Sequence, residues 1–116
     1  MIEYIAPALN YILKALGVRP EYTAVAAAAL LRCWSAGDCR TAEKFQDLCR
    51  GDPVCEYIKN IVKYKDLTGA KRAFSWYIKC TGRRLVKLLD VEGNIVGYDY
   101  TEEFLRKHPP PDFPCR

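Results

Sequence analysis

The spacing of six cysteines limits the folds open to this chain more than any other feature of its sequence. Cys33 and Cys39 are separated by five residues, and so are Cys49 and Cys55. Each pair spans a predicted turn between two helices, whereas Cys39 and Cys49 lie near opposite ends of one predicted helix. A helix rises about 1.5 Å per residue, so these two would be about 15 Å apart, and a disulfide needs Cα atoms within about 7 Å. Local disulfides Cys33–Cys39 and Cys49–Cys55 are therefore the simplest pairing, and crossed pairing of Cys33 with Cys49 or Cys55 stays open.

The two remaining cysteines, Cys80 and Cys115, form the third predicted disulfide. It would tie the proline-rich tail, residues 109–116, to the end of a helix, with a chain-entropy gain of roughly 3 to 4 kcal/mol. A zinc site needs ligands about two to four residues apart, which neither local pair provides. His108 is the only histidine, and we expect it on the solvated surface. The cysteines therefore predict disulfides, with neither a metal nor a cofactor.

The cysteines also bear on the compartment. The third residue is an acid, Glu3, in a region where a secretion signal needs positive charge. The longest apolar run, residues 24–31, is far below the roughly 20 residues of a membrane span. These features predict a cytoplasmic protein that does not enter a membrane. Cytosolic disulfides are typical of hyperthermophiles, and a low content of thermolabile residues also favours a thermophilic, archaeal source. A secreted mesophilic domain that has lost its leader is the alternative. The thermolabile residues are Asn10, Asn60, Asn94, Gln46 and Met1.

Apolar residues recur at helical spacing along most of the chain. Asp38 and Asp52 are expected to cap the third and fourth helices, and Pro20 and Pro53 suit the first positions of the second and fourth. A short sixth helix is expected from Thr101. The five predicted helices before it cover residues 2–16, 21–34, 38–50, 53–65 and 68–80.

A change of period after the fifth helix predicts a β-hairpin. Residues 84–90 and 95–100 are rich in β-branched and aromatic side chains and flank the turn sequence Glu92-Gly93-Asn94. The predicted fold is mainly α, a disulfide-stabilised bundle of five to six helices with one β-hairpin. It forms a single domain, residues 1–116, that ends in the proline-rich tail.

Charge is distributed unevenly along the chain. Between Lys59 and Lys87 there are nine basic residues and one acid, Asp66, whereas the rest of the chain has nine basic and thirteen acidic residues. The net charge of +4 therefore conceals a segment of net charge +8 and an acidic remainder. Such a segment is the pattern expected of a phosphate-binding surface.

Helical spacing divides the fifth predicted helix into two faces. One face has apolar residues such as Phe74 and Ile78 and is expected to be core, together with Ala70 and Tyr77. The other face has Ser75 and the basic residues, and it would expose Trp76 among cations for base stacking or apolar contact. The alternative is a half-buried Trp76 beside solvated lysines. The candidate nucleic-acid-binding residues are Lys71, Arg72, Trp76, Lys79, Arg83, Arg84 and Lys87.

The order of elements in residues 52–100, two helices joined by Asp66-Leu67-Thr68-Gly69 and followed by a hairpin, resembles winged-helix DNA-binding domains. The resemblance implies that the fifth helix lies in the major groove. It also implies that Arg84 and Lys87, on the wing, contact the DNA backbone.

Enzyme motifs are missing from the sequence. There is no Gly-x-x-x-x-Gly-Lys loop, no Gly-x-Ser-x-Gly turn and no Cys-x-x-Cys pair. The acids near the hairpin are explained by turn and helix-start chemistry. We therefore expect a non-enzymatic nucleic-acid-binding protein. The alternative is a protein-interaction or assembly module, from a thermophile or its virus, whose basic segment meets an acidic protein.

Overall fold

The computed structural model describes residues 1–116, which form a mainly helical protein with one two-stranded antiparallel sheet. No helix combines the length and the apolar character needed to cross a membrane. The helices are α1 (Ile2–Ala15), α2 (Thr23–Ala36), α3 (Glu43–Cys49), α4 (Pro53–Tyr64), α5 (Leu67–Thr81) and α6 (Thr101–Lys107). The strands are β1 (Leu85–Leu89) and β2 (Ile95–Tyr100).

Three disulfides confirm the simplest predicted pairing, and no cysteine is free. The Cα atoms are 4.3 Å apart in Cys33–Cys39, 5.5 Å apart in Cys49–Cys55 and 5.4 Å apart in Cys80–Cys115. These distances suit a disulfide. The crossed pairings that the spacing left open are therefore not used.

The start of α4 follows its local sequence closely. The carboxylate of Asp52 accepts hydrogen bonds from the backbone N–H groups of Val54 and Cys55, at 2.9 and 3.0 Å, and Pro53 occupies the first turn. The same carboxylate pairs with the guanidinium of Arg116. The predicted cap at Asp52 is confirmed.

Two other predicted helix starts are wrong. Pro20 begins a single 3₁₀ turn, Pro20–Tyr22, ahead of α2. Asp38 does not cap the third helix, because α3 begins at Glu43 and Asp38 pairs with Arg40 instead. The physical reason is the left-handed Gly37, with φ of 77°, after which Cys39 turns back to meet Cys33. A chain that reverses there cannot yet be helical.

The contacts within the chain divide it into two compact units. The hairpin unit comprises Met1–Ala8 and Leu67–Cys115, and the helical unit comprises Leu9–Asp66 and Arg116. In the helical unit, α2 packs against α3 and α4. Residues 52–100 are shared between the units, with α4 in one and α5 in the other. The winged-helix resemblance is not confirmed.

Aromatic rings form much of the core of the hairpin unit. The ring of Phe74 lies edge-on to Tyr4 and to Phe104, with centroids 5.7 Å away in both cases. Val86 of β1 is also buried. Since these residues come from α1, α5, α6 and β1, the core fixes the hairpin relative to α5.

The predicted hairpin is confirmed, with Leu85 opposite Tyr100 and Lys87 opposite Tyr98. Asp90 closes its turn by accepting hydrogen bonds from the backbone N–H groups of Glu92 and Asn94, both at 2.9 Å. These bonds, that to Asn94 first, hold the pKa of Asp90 below its usual range. Asp90 thereby forms an Asx turn.

Candidate nucleic-acid interface

The proline-rich tail packs along one face of α5 in the hairpin unit. Arg72 donates from Nε to the carbonyl of Pro109 at 2.7 Å, and the indole N–H of Trp76 donates to the carbonyl of Phe113 at 2.9 Å. Cys80 completes the series through its disulfide with Cys115. Residues 72, 76 and 80 are one helical turn apart, so the tail and α5 run in the same direction for about 12 Å.

The expectation that Trp76 is exposed among cations is therefore wrong. Its side chain is only 2% exposed, and Ser75, placed on the same predicted surface, is completely buried. Helical periodicity predicted that only the face with Phe74 and Ile78 is buried. The tail also covers part of the opposite face, which includes Trp76. Trp76 contributes to the core, and its ring is unavailable for stacking on a base.

Arg72 is likewise committed to the tail, and it is partly buried. Lys71 is partly buried too and lies close enough to His108 to influence its charge. Loss of solvation, followed by the charges of Lys71 and Lys107, lowers the pKa of His108. The imidazole lies against the Phe104 ring, with centroids 4.7 Å apart. The prediction of a solvated His108 is wrong, because the side chain is half-buried.

Four of the predicted binding residues remain exposed: Lys79, Arg83, Arg84 and Lys87. None of them forms an ion pair, whereas every ion pair in the structure uses a cation outside the basic segment. The guanidinium of Arg83 lies over the ring of Tyr77, 5.3 Å from its centroid. Such a contact orients the guanidinium without neutralising it.

Three of these cations meet at an open groove between the end of α5, the start of β1 and α6. Lys79, Arg83 and Arg84 line it together with Tyr100 and Glu102, and its volume is about 590 Å³. We call this the basic groove. Three cations against one carboxylate favour an anionic ligand, and guanidinium groups suit phosphate oxygens in particular.

The structure also presents two aromatic side chains that the sequence analysis did not select. Tyr98 and Tyr100 are 57% and 71% exposed on β2. Alternation along β2 could have indicated this, because residues 96, 98 and 100 share one face of a strand and Gly97 and Asp99 lie on the other.

Comparisons with protein-family models, with curated proteins and with solved structures found no match.

Proposed function

We propose that this protein is a non-enzymatic nucleic-acid-binding protein that holds the phosphate backbone in the basic groove and at Lys87. The observation that favours this most is the set of four exposed cations without ion pairs. Elsewhere in the chain six exposed cations pair with carboxylates, as Arg50 does with Asp47, and five do not: Lys14, Arg32, Lys44, Lys63 and Lys65. The four cations differ from those five because three of them line one groove. Cations left unpaired in one place are available to a phosphate.

This proposal differs from docking of α5 in a major groove. Of the selected residues that lie on α5, Arg72 and Trp76 bind the tail and Lys71 is partly buried, so only Lys79 is exposed to a ligand. Arg84 and Lys87 keep the backbone-contacting role that a wing would give them. The binding surface then consists of the end of α5 and the hairpin.

The test is fluorescence anisotropy with labelled oligonucleotides over a range of salt concentrations. Lys79→Ala and Arg84→Ala should each weaken binding and reduce the salt slope by about one per lost phosphate contact. Lys63→Ala is the matched control, since it removes one exposed cation of the basic segment from the helical unit. Glu102→Gln removes the carboxylate of the basic groove and should strengthen binding.

Two results would contradict the proposal. One is no binding to DNA or RNA at low salt, where the phosphate contribution is strongest. The other is an equal loss for Lys63→Ala and Lys79→Ala, which would show that net charge matters and the groove does not.

A protein-interaction module is the second candidate, and the helical unit has one feature that favours it. Tyr22, Val25 and Leu48 are 54%, 65% and 42% exposed. They line one groove with Val18 and Phe45. Exposed apolar patches of this kind are typical of partner surfaces. Failure of every oligonucleotide to bind would favour this candidate.

We further propose that the protein works in the cytoplasm of a thermophile, archaeal or viral in origin. Three disulfides, with one closing a long loop, support a habitat in which cytosolic disulfides are common. A melting temperature in the mesophilic range of about 45–65 °C would contradict this.

A further inference from the structure

We propose that the exposed face of the hairpin binds single-stranded nucleic acid by stacking unpaired bases on Tyr98 and Tyr100. This rests on the proposed function and adds the kind of strand that is bound.

The register of the hairpin places the two tyrosines and a cation on one face. Residues directly opposite each other in an antiparallel pair point to the same side. Leu85 is opposite Tyr100 and Lys87 is opposite Tyr98, so these four side chains share a face. The next residue of β1, Val86, points to the other side and is 1% exposed. The hairpin therefore packs on one face and leaves the tyrosine face open.

The tyrosine face is continuous with the phosphate-binding cations. Tyr100 belongs to it and also lines the basic groove beside Arg84 and Lys79. Tyr98 and Tyr100 are two residues apart on a strand, which separates their Cα atoms by about 7 Å. One strand of nucleic acid can thus place its phosphates in the groove and its bases on the adjacent rings, as stacking surfaces in other single-strand binders do.

The rings favour a single strand over a duplex. In a duplex the bases are stacked on one another and present only their edges in the grooves. A tyrosine ring can stack only on a base whose face is free. Two exposed rings next to unpaired cations are therefore suited to an unpaired strand.

Lys87 argues against an apolar protein surface as the occupant of this face. It lies directly opposite Tyr98 and has no carboxylate partner. Covering the face with apolar protein would remove an unpaired ammonium group from water at a high cost, and lysine is depleted from the centres of protein interfaces. A single strand instead supplies a phosphate for the ammonium group.

The experiment compares Tyr98→Ala, Tyr100→Ala and Tyr98→Phe in the intact, oxidised protein. Tyr64→Ala is the matched control, because Tyr64 is 70% exposed in the helical unit and lies beside a lysine, Lys63. Each tyrosine-to-alanine change on the hairpin should weaken binding of a single-stranded oligonucleotide roughly 5- to 150-fold, with an unchanged salt slope. Tyr98→Phe should change the affinity less than about twofold, because a phenyl ring still stacks. Tyr64→Ala should also change it less than about twofold, because Tyr64 is not on the hairpin.

Other outcomes separate this inference from the proposed function. The inference fails if a duplex binds as tightly as either of its strands and the tyrosine variants bind like wild type. The proposed function would still hold in that case, provided that groove variants such as Arg84→Ala weaken binding. If no oligonucleotide binds at low salt, the proposed function fails as well. Sedimentation velocity measures whether the protein forms a dimer. A wild-type dimer that Tyr98→Ala converts to a monomer would show that a second copy of the chain covers this face, and it would overturn the inference.

Discussion

Replacing Trp76 with alanine tests whether its ring belongs to the core. The side chain is 2% exposed and its indole N–H is bonded to the carbonyl of Phe113. Removal of a buried tryptophan costs about 3–5 kcal/mol. In a chain of this length, 1 kcal/mol shifts the melting temperature by about 4 °C. We therefore expect Trp76→Ala to lower the melting temperature by roughly 12–20 °C.

Calorimetry and oligonucleotide binding on the same samples measure the two effects separately. Below its melting temperature, Trp76→Ala should bind oligonucleotides within about twofold of wild type, because a base cannot reach the buried ring. Trp34→Ala is the comparison: Trp34 is half-buried on α2, so its loss should cost less stability.

If the alanine variant proves too unstable, Trp76→Phe is the milder change. It keeps an apolar ring but removes the N–H donor and part of the buried ring volume, so it should cost about 1–3 kcal/mol. An unchanged melting temperature for Trp76→Ala together with a tenfold loss of binding would refute the reasoning and return the ring to the binding surface.

Two further predictions concern the tail and the aromatic core. Changing Cys80 and Cys115 together to serine opens a loop of sequence separation 35 and should cost about 4 kcal/mol in urea unfolding, against about 2 kcal/mol for Cys33 and Cys39, whose separation is 6. Equal losses would contradict the loop-entropy argument. The pKa of His108 is lower in the folded protein than its ordinary value of 6.5, so between these two pH values the unfolded chain binds more protons than the folded one. The free energy of unfolding should therefore rise as the pH increases through this range. His108→Gln should flatten this rise in a series of melts, and a rise of the same size in that variant would assign it to another group.

Local features of the sequence were sufficient for most of the fold. Asp52-Pro53 specifies a helix start through its own side chain and ring, and the turn at Glu92-Gly93-Asn94 specifies a hairpin. Both depend on contacts within a few residues. The start of α3 was mispredicted because Asp38 lies just after a left-handed glycine, inside a loop closed by the Cys33–Cys39 disulfide. A capping residue has no helix to cap while the chain is reversing.

The candidate site was harder to predict, because exposure depends on contacts between distant parts of the chain. Trp76 and Phe113 are 37 residues apart, and no local period reports such a contact. The sequence nevertheless held one signal. Residues 72, 76 and 80 share a helical face, and Cys80 was expected to bond Cys115. A tail tied to Cys80 must approach the same face as Trp76, so the predicted disulfide already argued against an open tryptophan.

The position of the tail also explains why the proposed interface lies where it does. Arg72 and Trp76 bind the tail, whereas Lys79 lies about 100° around the helix from Cys80. Arg83 follows the left-handed Gly82, after the helix has ended. The tail contacts α5 from Arg72 to Cys80, in its last turn, and leaves Lys79, Arg83 and Arg84 exposed. Since β1 begins only four residues after α5, at Leu85, those cations are next to the open face of the hairpin. A ligand drawn to Lys79, Arg83 and Arg84 by charge would meet Tyr100 and then Tyr98, so these three cations and the exposed rings form one surface.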